Sequence, residues 1–200
     1  MSSLKSRREL YSEATRAALL AEATALFAER GYARTSLEDV AAASAVTRGA
    51  VYHHFASKQA LFEAVLDAQE EQATAAVLAA ATAEDPWDAA MLALDAFLEQ
   101  CCDPRYGRLI WVEGPTALGW RRWRECEQKH AFGLVESFVH GLVEAGYLER
   151  RAVDTLARFS FWMLGGAGLA LAEADGADRP RLRAEWGDLI RRSVTALRAR

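Results

Sequence analysis

Proline is scarce in this chain, with four residues in 200, and valine and isoleucine never gather into alternating runs. The first removes a helix breaker, and the second counts against β-structure. They leave local propensity, set by abundant Ala, Leu, Glu and Arg, pointing to helix along most of the length. Cysteine is nearly as rare: Cys101, Cys102 and Cys126 are an odd number in a chain that is 52% apolar and long enough to bury a substantial core. That argues against a disulfide framework and for reduced thiols. No stretch of about 18 apolar residues is free of charge, and Met1-Ser2-Ser3-Leu4-Lys5-Ser6-Arg7-Arg8-Glu9 has no apolar signal core behind it. A cytoplasmic protein without a membrane partner is expected. Internal repeats, low-complexity tails and long linkers are also missing, and the reading is all-α.

Positive charge is in short supply too, the net being -4. The deficit is uneven. Residues 1–58 carry eight cations (Lys5, Arg7, Arg8, Arg16, Arg30, Arg34, Arg48, Lys58) against six acids, a net of +2 that leaves -6 for the rest. Such an asymmetry lets a small N-terminal head approach phosphates while an acidic body keeps the protein soluble.

Leu19, Ala23, Leu26 and Phe27 share a helical face that ends at Gly31, which predicts a first helix over about 12–30. Thr35-Ser36-Leu37-Glu38 has the form of a capping box, Thr35 with Glu38, opening a second helix of about two turns. Ser44-Ala45-Val46 interrupts it, Thr47 offers a new N-cap, and a third helix runs from Arg48 to about Phe55. Ser57 caps a fourth that reaches about Ala81. Further helices are expected at about 86–101, 105–112, 116–145, 151–174 and 179–198, the longest of them kinked at Gly119 or Gly133, with Gly114-Pro115 among the separators.

Two short helices around a tight turn are what a helix-turn-helix requires, the second lying in the major groove and the first crossing the phosphates. Ala41, Ala42 and Ala43 permit close packing of the pair, and Val46 and Val51 face inward. Arg48, Ala50, His53 and His54 then face outward, where hydrogen-bonding groups and small apolar contacts read base edges. Lys58 is a cation in the first turn of a helix, where the dipole opposes it by a few tenths of a kcal/mol unless an anion intervenes. Thr35 and Ser36, at the start of the second helix, suggest a comparable phosphate site. Tyr52 and Phe55 have a plainer reading as core aromatics, and adjacent His53 and His54 do not converge on one metal ion.

Ala25-Leu26-Phe27-Ala28-Glu29-Arg30-Gly31-Tyr32, Ser36-Leu37-Glu38-Asp39-Val40-Ala41 and Val46-Thr47-Arg48-Gly49-Ala50-Val51-Tyr52-His53-His54-Phe55-Ala56-Ser57-Lys58-Gln59-Ala60-Leu61 resemble the TetR family of bacterial regulators over about fifty continuous residues. The resemblance implies a DNA-binding domain over 10–58 and an effector-binding and dimerisation domain over 59–200. It implies DNA contacts from Thr47, Arg48, Ala50, Tyr52, His53 and Lys58, Tyr52 and Lys58 on phosphates, with Gly49 permitting close approach; Thr35 and Ser36 join them from the reading above. The family commonly has glycine where this chain has Ala45. A left-handed alanine there would be strained by about 1 kcal/mol, unless the turn adopts a conformation alanine tolerates.

The resemblance further implies a homodimer formed by the last two helices, about 151–174 and 179–198, matching a palindromic double-stranded DNA operator. Their patterns fit a bundle, with Val153, Leu156, Ser160, Met163, Leu164, Ala167 and Leu171 on one face and Leu182, Trp186, Leu189, Ser193 and Leu197 on the other helix. Gly165-Gly166-Ala167-Gly168 permits close approach and is no nucleotide loop. For a small-molecule effector of unknown identity, Phe97, Cys101, Trp111, Trp120, Trp123, Phe138 and Trp162 are the candidate pocket residues, with Cys102, Glu113, His130 and His140 nearby in sequence, although most aromatics at helical spacing are ordinary core.

The expected mechanism is repression from an operator that the apo dimer spans at one helical turn, relieved when an effector favours a body conformation that spoils the spacing. An alternative is a thiol- or metal-responsive body using Cys101 and Cys102 with Cys126, His130 or His140, although no compact zinc spacing is present. No nucleophile elbow, HExxH or phosphate loop is found, so neither an enzyme nor a cofactor is expected.

Overall fold

The computed structural model describes residues Ser6 to Ala199, without the Arg8 side chain. Expectations that rest on Met1–Lys5, the Arg8 side chain or Arg200 lie outside the described residues. The chain divides into two compact units, one ending at Leu66 and the other beginning at Asp67. Among the described residues the regular structure is helical, and the only β feature is a single bridge between Leu148 and Arg198.

In the N-terminal unit, α1 (Arg7–Arg30) starts earlier than its apolar stripe suggests, because Ser6 and Glu9 cap it reciprocally. Polar first turns carry no hydrophobic periodicity, so the sequence reading missed them. Gly31 ends the helix at φ 82. The box that opens α2 (Leu37–Ala43) is Ser36 with Asp39, one residue beyond the expected Thr35 with Glu38. Thr35 is buried, and its hydroxyl donates instead to the carbonyls of Gly31 at 3.0 Å and Leu26 at 3.3 Å. Ala45 takes the left-handed conformation, φ 53, between α2 and α3 (Arg48–His54). Thr47 caps α3 by accepting from the Ala50 N–H at 3.2 Å. Leu37, Val40, Ala41, Val51 and Phe55 are buried, whereas Ala42 and Ala43, expected at the helix contact, are exposed. With α1 and the first turns of α4 (Lys58–Ala80) they enclose Phe27 and Phe62, packed edge to face at 5.0 Å, with Tyr32 at 5.0 Å from Phe62. Each fully buried phenylalanine contributes about 1.5–3 kcal/mol.

In the C-terminal unit, Asp85 and Asp103 act as N-caps ahead of Pro86 and Pro104, starting α5 (Pro86–Cys102) and α6 (Pro104–Gly107). Gly114-Pro115 does not separate helices as expected. A π-helical stretch, Arg108–Glu113, runs directly into α7 (Gly114–Leu118), and Pro115, which has no N–H to donate, sits just past the junction where the helix type changes. The long helix expected over 116–145 is broken at Gly119, φ 76. It becomes α8 (Trp120–Glu127), a second π-helical stretch (Gln128–Phe132) and α9 (Gly133–Glu144).

The last two helices are α10 (Val153–Glu173) and α11 (Arg179–Ala196). By length and composition α10 could cross a bilayer, but Ala157, Ala167, Gly168 and Leu171 bury one side of it within the protein. Phe159, Trp162 and Leu169 on α10, and Leu189 on α11, remain exposed. Gly168 is where α10 meets the π-helical stretch: a Cβ there would stand 2.5 Å from the Trp111 ring.

Candidate functional site

Two sites emerge, one in each unit. The first is the outer face of α3. Thr47, Arg48, Gly49, Tyr52 and His53 are exposed there and Ala50 is half-buried, while His54 turns partly inward. That burial, then the neighbouring His53 and Arg16, pushes the His54 imidazole below its ordinary value, towards the neutral form. The Arg48 guanidinium pairs with Glu38 at 2.9 Å, donates to the Tyr52 hydroxyl at 3.3 Å and lies 5.3 Å from that ring. Exposed pairs of this kind contribute little stability. The arrangement keeps the guanidinium extended over the face and leaves it free to exchange Glu38 for another anion.

Beside α3 a hollow of about 500 Å³ is lined by Ser36, Tyr52, Ser57 and Lys58 with Thr35 and Arg34. Its polar groups are already engaged. The Ser36 hydroxyl donates to Asp39 Oδ2 at 2.6 Å and accepts from the Asp39 N–H. The Ser36 hydroxyl, and then the Ser36 N–H donating to the same oxygen at 2.8 Å, hold the Asp39 carboxyl below its ordinary value. Lys58 Nζ donates to the carbonyls of Tyr32 at 2.8 Å and Thr35 at 3.0 Å, and sits 4.2 Å from the Tyr32 ring centre. The dipole penalty inferred for this lysine from sequence is therefore offset inside the fold. Its ammonium ties the α1–α2 turn to the start of α4 and stays half-buried at the edge of the hollow.

The second site is a cavity of about 380 Å³ in the C-terminal unit. Of the residues expected there, Phe97, Trp111, Trp120, Trp123, Phe138 and Trp162 line it. Cys101 does not; it is buried on α5, outside the lining. Trp111 and Trp123 are buried and pack edge to face at 5.9 Å, whereas Trp120 and Trp162 are exposed and stack at 6.2 Å with 20° between planes. The tryptophans thus run from deep wall to mouth. The extra residue in a π-helical turn rotates side chains relative to an α-helix, and such stretches recur at functional sites. Here one of them carries Trp111 and the other follows Glu127.

The sequence reading missed the cavity's polar wall. Glu70 and Glu127 are 2% and 4% exposed, and both line it. The Tyr106 hydroxyl donates to Glu70 Oε1 at 2.8 Å. Close by, Asp67 accepts from Lys129 at 3.0 Å and bonds His130 Nε2 at 2.8 Å. Burial pushes the Glu70 carboxyl up against the opposing Tyr106 bond, and burial followed by Glu70 pushes Glu127 well above the ordinary range. One signal was available: Phe62, Leu66, Glu70, Ala73 and Val77 keep a helical period, which places an acid on the buried stripe of α4.

Residues 19–65 match the family model described as bacterial regulatory proteins of the tetR family, and residues 87–197 match the tetracyclin repressor-like C-terminal domain. The chain belongs to the TetR family. A TetR-family transcriptional regulator from Pectobacterium atrosepticum superimposes with a TM-score of 0.81 at 29% identity, covering 98% of this chain and 99% of that one. The Tn10 TetC protein of Escherichia coli is 24% identical over 76% of this chain and 77% of its own length. An HTH-type transcriptional repressor of Mycobacterium tuberculosis is 54% identical over 55 residues, which are 28% of this chain and 29% of that protein.

This TetR-family regulator is a helix-turn-helix transcription factor, with its DNA-binding head before its helical C-terminal domain. Its cysteines do not form the grouping that a thiol or metal switch requires. None is in a disulfide, and burial pushes the Cys101 thiol well up and the Cys102 thiol up. A reactive sensor thiol needs the opposite shift. Among the described residues, no three His, Cys, Asp or Glu side chains are placed to hold a metal ion.

Proposed function

We propose that residues 10–58 bind a palindromic operator as one half of a homodimer, and that residues 59–200 bind a small-molecule effector whose occupancy lowers operator affinity. The exposed face of α3 carries this reading. Arg48, Ala50 and His53 address base edges, Thr47 and Tyr52 address phosphates, and Gly49 allows the backbone to approach closely. Ser36 and Lys58 border the hollow beside them, with the Lys58 charge directed at a phosphate while its N–H bonds hold the turn. Thr35 acts through its position in that turn, since its hydroxyl faces inward.

Dimerisation rests on α10 and α11, whose exposed Phe159, Trp162, Leu169 and Leu189 form an apolar surface that a symmetry mate would cover. An effector that prefers the DNA-incompetent state of the body lowers operator binding by linkage. The protein is taken as a cytoplasmic regulator without enzymatic activity.

The test is selection of binding sites from genomic fragments by purified protein, followed by anisotropy across a salt series. The expected result is an inverted repeat bound by a dimer. Tyr52→Ala should weaken binding, and Lys58→Ala should reduce the salt slope by about one, a change that a purely structural lysine would not produce. No selected sequence, with binding indifferent to both substitutions, sinks the reading. A Phe159→Glu variant that sediments as a monomer and loses the inverted repeat would support the α10–α11 interface; an unchanged dimer would count against it.

A further inference from the structure

The polar groups around the cavity are unevenly signed. Glu70 and Glu127 are buried, whereas the lining cation, Arg124, is exposed to solvent. Glu70 has the Tyr106 hydroxyl. Glu127 meets neither a hydrogen-bond donor nor a cation among the described residues; what faces it is Glu70. Buried charges in proteins are normally paired, and a buried acid left without a partner beside an empty volume invites a ligand that supplies one.

The aromatic wall points the same way. The buried indole nitrogen of Trp123 has no hydrogen-bond partner, and that of Trp111 has only the weakly accepting Cys101 sulfur beside it. They lie where a Cβ on Gly168 or Gly114 would be 3.0 Å away, so both N–H edges are turned against glycine backbone. A ligand's hydrogen-bond acceptors therefore find few donors there, while electron-rich ring faces attract cations. At about 380 Å³ the cavity suits a molecule of two or three fused rings.

We propose that the cavity takes a lipophilic aromatic cation, an amine or quaternary ammonium, with its charge against Glu127 and Glu70 and its rings among Trp111, Trp120 and Trp123. The assignment rests on the cavity being the effector site. Entry of the cation ionises a carboxyl that burial and the neighbouring acid otherwise keep protonated, so one proton leaves to solvent as the charge arrives. The other titratable groups facing this pair are Tyr106, Asp67 and His130 around Glu70, and Cys101 behind it.

Three probes of one shape separate the possibilities: (1-naphthylmethyl)trimethylammonium, 1-naphthalenemethanol and 1-naphthylacetate, titrated calorimetrically into the full-length protein with and without operator DNA. The cation should bind roughly tenfold or more tighter than the alcohol. Glu127→Gln should bring the two close to parity, chiefly by weakening the cation. Alcohol or carboxylate binding as tightly as the cation, or a cation preference that survives Glu127→Gln, would overturn the charge assignment while leaving the cavity as effector site if operator is still released. If none of the three binds or releases operator, the effector reading falls with it. Should Glu127→Gln fail to fold, the wild type decides through titrations in buffers of different ionisation enthalpy. A proton released with the cation and none with the alcohol is the expected result; equal counts overturn it.

Discussion

The helix caps of the N-terminal unit are closed by partners a turn away in the chain, whereas several polar side chains of the C-terminal unit also reach across to distant helices. Ser6 pairs with Glu9, Ser36 with Asp39, Thr47 with Ala50 and Arg48 with Tyr52. In the body, Tyr106 reaches Glu70, His130 reaches Asp67, Tyr147 reaches Asp85 and Arg191 reaches Asp95. The difference is one of purpose. A recognition surface must present a fixed constellation outward, and local caps hold it at little cost. An internal cavity must bring polar groups together across a core, and only tertiary packing does that.

The two units should therefore fail differently. All six tryptophans lie from Trp87 to Trp186, so selectively excited tryptophan fluorescence follows the body alone. Gly168→Val should destabilise it by about 3 kcal/mol in urea unfolding, because the new side chain would enter the buried Trp111 ring. Gly49→Ala in α3 meets only Thr47 Oγ1 at 3.8 Å. It should leave stability unchanged or raised by up to about 1 kcal/mol, while weakening operator binding. A Gly168→Val protein as stable as the parent would refute the packing argument.

Acid should weaken the caps of the head, together with Asp67 and Asp85 in the body, whereas alkali should weaken the body's buried acids. Asp39 and Glu9 are held below their ordinary values by cap hydrogen bonds, so the stability they add is present above the unfolded carboxylate value and is lost as the pH falls through the lower folded one. Glu127 and Glu70 are raised, chiefly by burial. There the folded state keeps protons that the unfolded chain gives up, and stability drops as the pH rises from the unfolded value through the folded one. Glu127→Gln should flatten that alkaline loss in fluorescence-detected melts without touching the acid limb. A body whose stability rises across this window in the parent protein would refute the buried-acid account.

Smaller effects belong to the head. Ser36→Ala should cost about 1 kcal/mol by removing the α2 cap, read by hydrogen exchange of the Asp39 amide and its neighbours. Ala45→Gly should stabilise by up to about 1 kcal/mol, since glycine accepts φ 53 without a Cβ clash. A destabilised glycine variant would mean that the alanine is not strained.

The helix-turn-helix was legible because its determinants are local: a cap, two apolar stripes of fixed period and a turn of set length. The left-handed Ala45 was anticipated as one of two outcomes. Lys58 was misread in part, because its partners are carbonyls more than twenty residues upstream. In the body the aromatic lining was visible and the carboxyls were not. An acid in a helical pattern is ordinarily a solvated one, and Glu70 is marked as buried only by the stripe it interrupts. Cys101 falls on the right helix but outside the lining, a distinction of side-chain direction that spacing alone leaves open.

Sequence by itself determined the all-helical class, the Thr47 cap, most of the outward face of α3 and the family to which the chain belongs, since each depends on neighbours within a few residues. Tertiary structure alone decided that α7 continues a π-helical stretch through Gly114-Pro115, that Gly168 seats Trp111, and that two acids face one cavity. These depend on which distant surfaces meet and on how much water remains between them, and no local period encodes either.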